Sequence, residues 1–330
     1  QELCVEVKSL AKQVKTSLLH LNNLCLLCEL CEENNDKVQY IALTETYQVF
    51  DHLIRTKTEY ANAFVYKSIT KKDNAKKQHK GDDNENDQIT TFLQEKYRDY
   101  ISIVFNHLHT KSSCLQVPAL KILLQFVKLE HQNMLRTKDQ RTNPEIFVPI
   151  LTGSRKFIES IVFSLLRGSG KGDFILLISF PSLLEIVREY FHTYDDLKYY
   201  LLVAVTKACK LQQKKGKNDS TEKFVLNAFQ LLHTIQPSID LEEFYIHDPK
   251  QFPSLRELKK KEPEKFSDIY KAGKRNRDET DKSNLDLEME KLSQVFKPEY
   301  HQFVFQSAWK ELLRLPLSSM VYKQILLDMP

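Results

Sequence analysis

The sequence predicts an all-α fold, a HEAT-like α-solenoid of stacked helical hairpins, on three observations. Glycine (7) and proline (11) are scarce among 330 residues, about half the usual share, too few for the many tight turns of an all-β chain. Apolar residues recur at steps of three and four through most of the chain, the period of one helix face. One segment, from Pro118 to Leu129, is apolar almost all round, with only Lys121, Gln125 and Lys128 polar. A helix with so narrow a polar strip is covered on two sides, as in stacked hairpins. At 42% hydrophobic and 28% charged, the chain carries enough apolar surface to offset its ordering entropy, which excludes a wholly disordered protein. No crisp repeat aligns along it.

Taken in order, the first clear stripe is Tyr40, Leu43, Tyr47, Phe50 and Ile54, and the second is Tyr97, Ile101, Val104, Phe105 and Leu108. The segment opened by Pro118 follows. Further helical patterns run over 147–166, 183–191, 197–211, 224–235 and 303–315, the last stopped by Pro316. A final stripe, Val321, Ile325, Leu326 and Met329, follows the capping residues Ser318 and Ser319. Two polar breaks interrupt the pattern. Residues 71–88 hold a lysine run and then an acidic run with hardly an apolar side chain, and are expected to form a mobile loop. Residues 256–277 are strongly basic and precede the acidic run 278–290. The expected organisation is therefore a helical solenoid over 1–255, a charged linker over 256–297 and a further helical unit from 298 to 330.

Several function classes fall away. No apolar run reaches the roughly 18 residues of a membrane helix; the richest, 174–184, is broken by Ser179, Pro181 and Ser182. The net charge of +4 is too weak to hold nucleic acid globally, so such contact would need local basic patches. The six cysteines are too few and too uneven for a disulfide framework and fit reduced thiols of a cytosolic or nuclear protein. The chain begins at Gln1 rather than at a methionine, so a missing start is expected.

Candidate chemistry is sparse. Cys25, Cys28 and Cys31 have metal-ligand spacing, yet lie among Leu21, Leu24, Leu26, Leu27 and Leu30, where cysteine acts as a small hydrophobe on a buried helix face. The run Arg167–Gly172 lacks the glycine and the hydroxyl residue of a phosphate loop and reads as a helix end. His107 and His109 diverge on a helix and read as solvated or hydrogen-bonded. Asn218-Asp219-Ser220 is a glycosylation sequon that matters only in a secreted protein. The carboxylates Glu159, Glu185, Glu189, Asp195 and Asp196 fall on polar faces or at helix ends, and none is caught in an apolar pattern with a matched partner. No catalytic residues, cofactor site, metal site or small-molecule substrate are expected. Lys259, Lys260 and Lys261, with Lys274, Arg275 and Arg277 after a spacer, match a bipartite nuclear import signal or an RNA-phosphate clamp, and also read as a solvated surface.

Several segments in order resemble the nucleolar complex protein 4 family: Pro118–Glu130, Arg188–Tyr200, Asn227–Ile235, Phe244-Tyr245, and above all His301–Leu327, which looks like the opening of the CCAAT-binding-factor-type domain. The likeness runs from about residue 97 to the end. It implies a helical scaffold in the nucleolus, acting in small ribosomal subunit assembly and rRNA processing within the small-subunit processome. Nucleolar protein 14 would be a partner, bound largely through the C-terminal domain, and pre-ribosomal RNA a further one. The chain ends at Pro330, just inside that domain, so most of the partner-binding half would lie beyond it. Trp309, Leu315, Leu317 and Tyr322 are candidate partner contacts, with hairpin-core packing as the competing reading for the two aromatics. Two other functions stay open: a DNA-binding transcription regulator, for which no helix-turn-helix, zinc finger or basic zipper is present, and a generic transport scaffold.

Overall fold

A computed structural model describes residues 2–66, 85–136, 144–167, 176–214, 219–236, 240–247 and 284–315. Among these there is no strand. Eleven α-helices are present among the described residues: α1 Glu2–Thr16, α2 Asn23–Leu30, α3 Asp36–Thr56, α4 Glu85–His107, α5 Ser113–Met134, α6 Pro144–Arg167, α7 Pro181–Thr193, α8 Asp195–Gln213, α9 Asp219–His233, α10 Asn284–Gln294 and α11 Pro298–Leu313. Short 3-10 turns sit at Leu18–His20, Thr58–Ala63 and Leu177–Ser179.

The helices stack into an all-α solenoid. The principal contacts form one row, α1 on α3, α3 on α5, α5 on α6, α6 on α8 and α8 on α11. The others lean on that row: α2 on α1 and α3, α4 on α5, α7 on α5 and α8, α9 on α6 and α11, and α10 on α6. Each helix buries its apolar face mainly against near neighbours in sequence, so the core extends along the array instead of closing on a centre.

Local chemistry explains where these helices begin. Asn35 caps α3, its side-chain oxygen accepting from the N–H groups of Lys37 (3.1 Å) and Val38 (3.2 Å). Pro181 and Pro298 each occupy a first helical turn, where the missing N–H costs nothing. Helix α5 starts five residues before Pro118: the N–H groups of Leu115 and Gln116 both reach the Ser112 carbonyl, and Leu115 is already buried. Pro118 is the sixth residue of α5, past the N–H groups that lack intrahelical partners, so the helix does without the bond that an N–H there would make to the Cys114 carbonyl.

The expected double coverage of α5 holds. Leu120, Ile122, Leu123, Leu124, Phe126, Val127 and Leu129 are all buried, and α3, α4, α6 and α7 surround the helix. Where α3, α4 and α5 meet, Phe50, Tyr97, Tyr100 and Phe126 form an aromatic cluster, with Phe50 at 5.4 Å from Tyr97 and Tyr97 at 5.3 Å from Phe126. These edge-on approaches place positive ring edges on negative faces. The first stripe is displaced from its expected position. Tyr40 is exposed, whereas Val38, Ala42, Val49 and Leu53 join Leu43, Phe50 and Ile54 in the core, because α3 meets α1, α2 and α5 on a broad front.

Two expectations about the breaks change. Residues 85–88, expected in the mobile loop, lie in the first turn of α4, and residues 284–297, expected in the linker, form α10 and the turn after it. Leu292, Val295 and Phe296 are buried there, which is why the acidic stretch folds as a helix against α6. Helix α11 is likewise continuous with the array, seated on α8 and α9. Outside the described residues lie 71–84, Gly168–Gly172, Asn218, Lys259, Lys260, Lys261, Lys274, Arg275, Arg277, Leu317, Tyr322 and the stripe from Val321 to Met329. Among the described residues, no helix is long and apolar enough to cross a membrane.

Candidate functional site

The N-terminus of α8 carries the most concentrated polar chemistry. Asp195 and Asp196 fill its first turn, where carboxylates offset the positive end of the helix dipole. Both are buried, at 5% and 0% exposure. Asp196 accepts from the N–H groups of Leu197 (2.8 Å), Tyr245 (2.9 Å), Ile246 (2.8 Å) and His247 (3.0 Å). Asp195 accepts from Glu242 N–H (2.9 Å) and Glu243 N–H (3.3 Å), and its own N–H donates to the Glu243 carbonyl (2.8 Å). Two adjacent carboxylates thus strap residues 242–247 across the start of α8. Burial raises the pKa of Asp196, and the four N–H groups oppose that shift. Position at a helix end was expected; burial was not.

The strap delivers His247 to Tyr200, whose hydroxyl is hydrogen-bonded to Nε2. Next to it, the Tyr199 hydroxyl donates to Gln294 Oε1 on α10 (3.0 Å), and His301 Nε2 lies 2.8 Å from the Val295 carbonyl. This buried polar layer fixes α8 against α10 and the start of α11. Burial holds His247 down at about 3, with the Arg155 charge adding to the effect.

Outside that layer, α8, α10 and α11 enclose a cleft of about 660 Å³. Helix α8 supplies Tyr199, Tyr200, Val203, Thr206, Lys207, Lys210 and Leu211, with Lys214 at its C-cap; α10 supplies Lys291, Leu292 and Gln294; α11 supplies Phe303, Val304 and Ser307; Arg155 enters from α6. The floor is apolar and the rim basic. Several rim charges are already matched: Lys207 pairs with Glu159, while Arg155 (3.2 Å) and Lys291 (2.6 Å) share Glu288. For Glu288 burial acts upward, but Lys291 and Arg155 outweigh it and keep the carboxyl below its usual range. Lys210 and Lys214, one turn apart and exposed, make no ion pair with a described residue.

A second cavity, of about 210 Å³, lies among Tyr66, Glu130, His131, Met134, Pro149, Gly153 and Ser154. Here an expectation is corrected, because Glu130 is a carboxylate caught inside an apolar face. It accepts from the Tyr97 hydroxyl and from Tyr66 N–H (2.8 Å), and burial pushes it up to about 8. The signal was present in the sequence: Glu130 follows Phe126 by four residues and Leu123 by seven, on the buried stripe of α5.

The other sequence candidates find structural partners. Trp309 and Leu315 are 8% and 3% exposed. The Trp309 ring meets Phe229 of α9 edge-on at 5.9 Å, so this side chain is used in packing within the chain. Cys28 and Cys31 are buried, and burial pushes the Cys28 thiol up to about 12 and Cys31 higher still, away from the thiolate a metal ligand requires. Among the described residues, no group of three or more His, Cys, Asp or Glu side chains is arranged to hold a metal. His107 and His109 diverge as expected, His107 Nε2 to the Cys31 carbonyl and His109 Nε2 to Ser164 Oγ, each at 2.8 Å.

The array described above coincides with a known family. A family described as nucleolar complex protein 4-like, TPR repeats, matches residues 2–215. The chain belongs to the nucleolar complex protein 4-like family. It is 22% identical over 215 residues to the nucleolar complex protein 4 homolog B of Xenopus laevis, covering 65% of this chain and 36% of the relative. It is 22% identical over 322 residues to the nucleolar complex protein 4 homolog of Danio rerio, covering 96% of this chain and 50% of the relative. The chain therefore spans half or less of the length of these relatives. No solved structure matches. The family's repeats are described as TPR, where the sequence suggested a HEAT-like form; with one tryptophan in the chain, a Trp-led repeat signature cannot recur and was not legible.

Proposed function

We propose that this chain is a non-enzymatic scaffold in ribosome biogenesis, working in the nucleolus and so within the nucleus. The observation that carries this reading is the family match over residues 2–215, together with relatives whose names place them in a nucleolar complex. The finer role is assembly of the small ribosomal subunit and rRNA processing within the small-subunit processome, with nucleolar protein 14 as protein partner and pre-ribosomal RNA as a further contact. It is supported by the order of the segments resembling that family, which end in His301–Leu327.

A holding role suits an elongated helical array, which spreads contacts over several repeats and positions neighbours without chemistry. The use of the buried acids also favours it: both oxygens of Asp196 and of Glu130 are committed to protein donors. Affinity purification of the tagged full-length protein tests the proposal. Recovery of pre-ribosomal RNA with small-subunit assembly proteins is expected. Recovery of promoter DNA or of vesicle coat proteins in their place would overturn it in favour of a transcription regulator or a transport scaffold.

A further inference from the structure

We infer that the cleft between α8, α10 and α11 is a docking site for an acidic amphipathic helix of a partner protein. The inference rests on the scaffold reading only in taking the cleft as a place where a neighbour is held. Three features choose the occupant. First, the floor, made by Val203, Leu211, Leu292 and Val304, is apolar and partly open, with Leu211 36% exposed. A volume of about 660 Å³ admits side chains presented at i and i+3 or i+4 by one face of a helix. Second, Lys210 in the last turn of α8 and Lys214 at its C-cap stand four residues apart at the rim, both exposed and without an ion-pair partner among the described residues. Their spacing matches two carboxylates one turn apart on a facing helix. Third, no Asp or Glu is among the described residues that line the cleft, so an acidic ligand meets no like charge on its walls.

The same features disfavour RNA. Tyr199 and Tyr200 are 5% and 3% exposed, and their hydroxyls are engaged by Gln294 and His247, so neither ring offers an open face for base stacking. Arg155 and Lys291 are tied to Glu288, and Lys207 to Glu159, which leaves few cations for successive phosphates. An apolar floor also gives a phosphate backbone nothing to bind.

The test uses the purified 330-residue chain as bait for a displayed library of random peptides about four helical turns long. Enriched peptides are synthesised with a fluorophore and titrated by anisotropy. Enrichment of sequences with apolar residues at i, i+3 or i+4 flanked by Asp or Glu is expected. The Lys210→Glu/Lys214→Glu variant is expected to weaken them by about tenfold or more, since two favourable charge contacts become repulsive. Val304→Asp, which puts a charge in the floor, should weaken them similarly while circular dichroism melts of both variants match the wild type. No enrichment, enrichment of neutral or basic peptides, or affinity indifferent to both variants would overturn the inference. So would an oligouridine RNA whose binding the lysine variant abolishes. All these readouts come from the isolated chain, so they are separable from failure of the scaffold reading, which the pre-ribosome purification decides.

Discussion

Replacing Asp196 with asparagine removes one carboxylate oxygen and keeps the shape. In the wild type, one oxygen accepts from Leu197 and Tyr245 and the other from Ile246 and His247, all within 3.0 Å. An amide has a single acceptor oxygen, so in either orientation two buried N–H groups face an NH2. Each lost hydrogen bond to a charged group is worth about 1.5–3 kcal/mol, and the two together about 3–6 kcal/mol. That is a large part of the roughly 5–15 kcal/mol by which domains are stable. The strap over residues 242–247 should yield first, because it is held to α8 mainly by these bonds. Amide exchange at Tyr245, Ile246 and His247 is therefore expected to accelerate by about 100-fold or more, with a lower urea midpoint. The exposed Asp240, changed to asparagine, serves as control and should shift stability by less than about 0.5 kcal/mol. If Asp196→Asn kept the wild-type midpoint and the three amides stayed protected, the carboxylate strap would not be what holds this segment.

Two buried groups predict opposite pH dependences. His247, held at about 3 by burial and the Arg155 charge, against an ordinary 6.5, contributes stability that is present above pH 6.5 and lost as pH falls towards 3. Urea midpoints should begin to drop near pH 6, ahead of carboxylate protonation. Glu130, pushed by burial from 4.5 to about 8, contributes stability that is present below pH 4.5 and lost as pH rises through 8. Between pH 5 and 8 the wild type should lose ground relative to Glu130→Gln, by about 1–4 kcal/mol; parallel curves would refute the assignment. Gly153 lies inside α6 with nothing within 4 Å of an added Cβ, so Gly153→Ala should raise stability by about 0.5–1 kcal/mol in thermal melts.

Much of the fold is legible in the sequence. Low glycine and proline, the three-four spacing and the nearly all-apolar Pro118–Leu129 segment lead to stacked helices, and α5 is enclosed by four neighbours as that pattern requires. The import cluster at 259–277 lies outside the described residues. The candidate cleft was not legible. Val203, Leu211, Leu292 and Val304 belong to three helices separated along the chain, and each looks like an ordinary core position in its own helix. Residues 284–297 read as linker because charge dominates their composition, yet Leu292, Val295 and Phe296 suffice to seat them.

The sequence alone determined which residues can form helices and which face of each is apolar, because helix period and side-chain polarity are properties of a short window. It could not decide what those faces meet. Asp195 and Asp196 show the difference: in sequence they are two acids at a helix start, a place where solvent usually completes their hydrogen bonds. Only the return of residues 242–247 across that start supplies five of their six N–H contacts, the sixth coming from the adjacent Leu197. Burial of a charge depends on donors brought together by the tertiary path, and that path is absent from any local pattern.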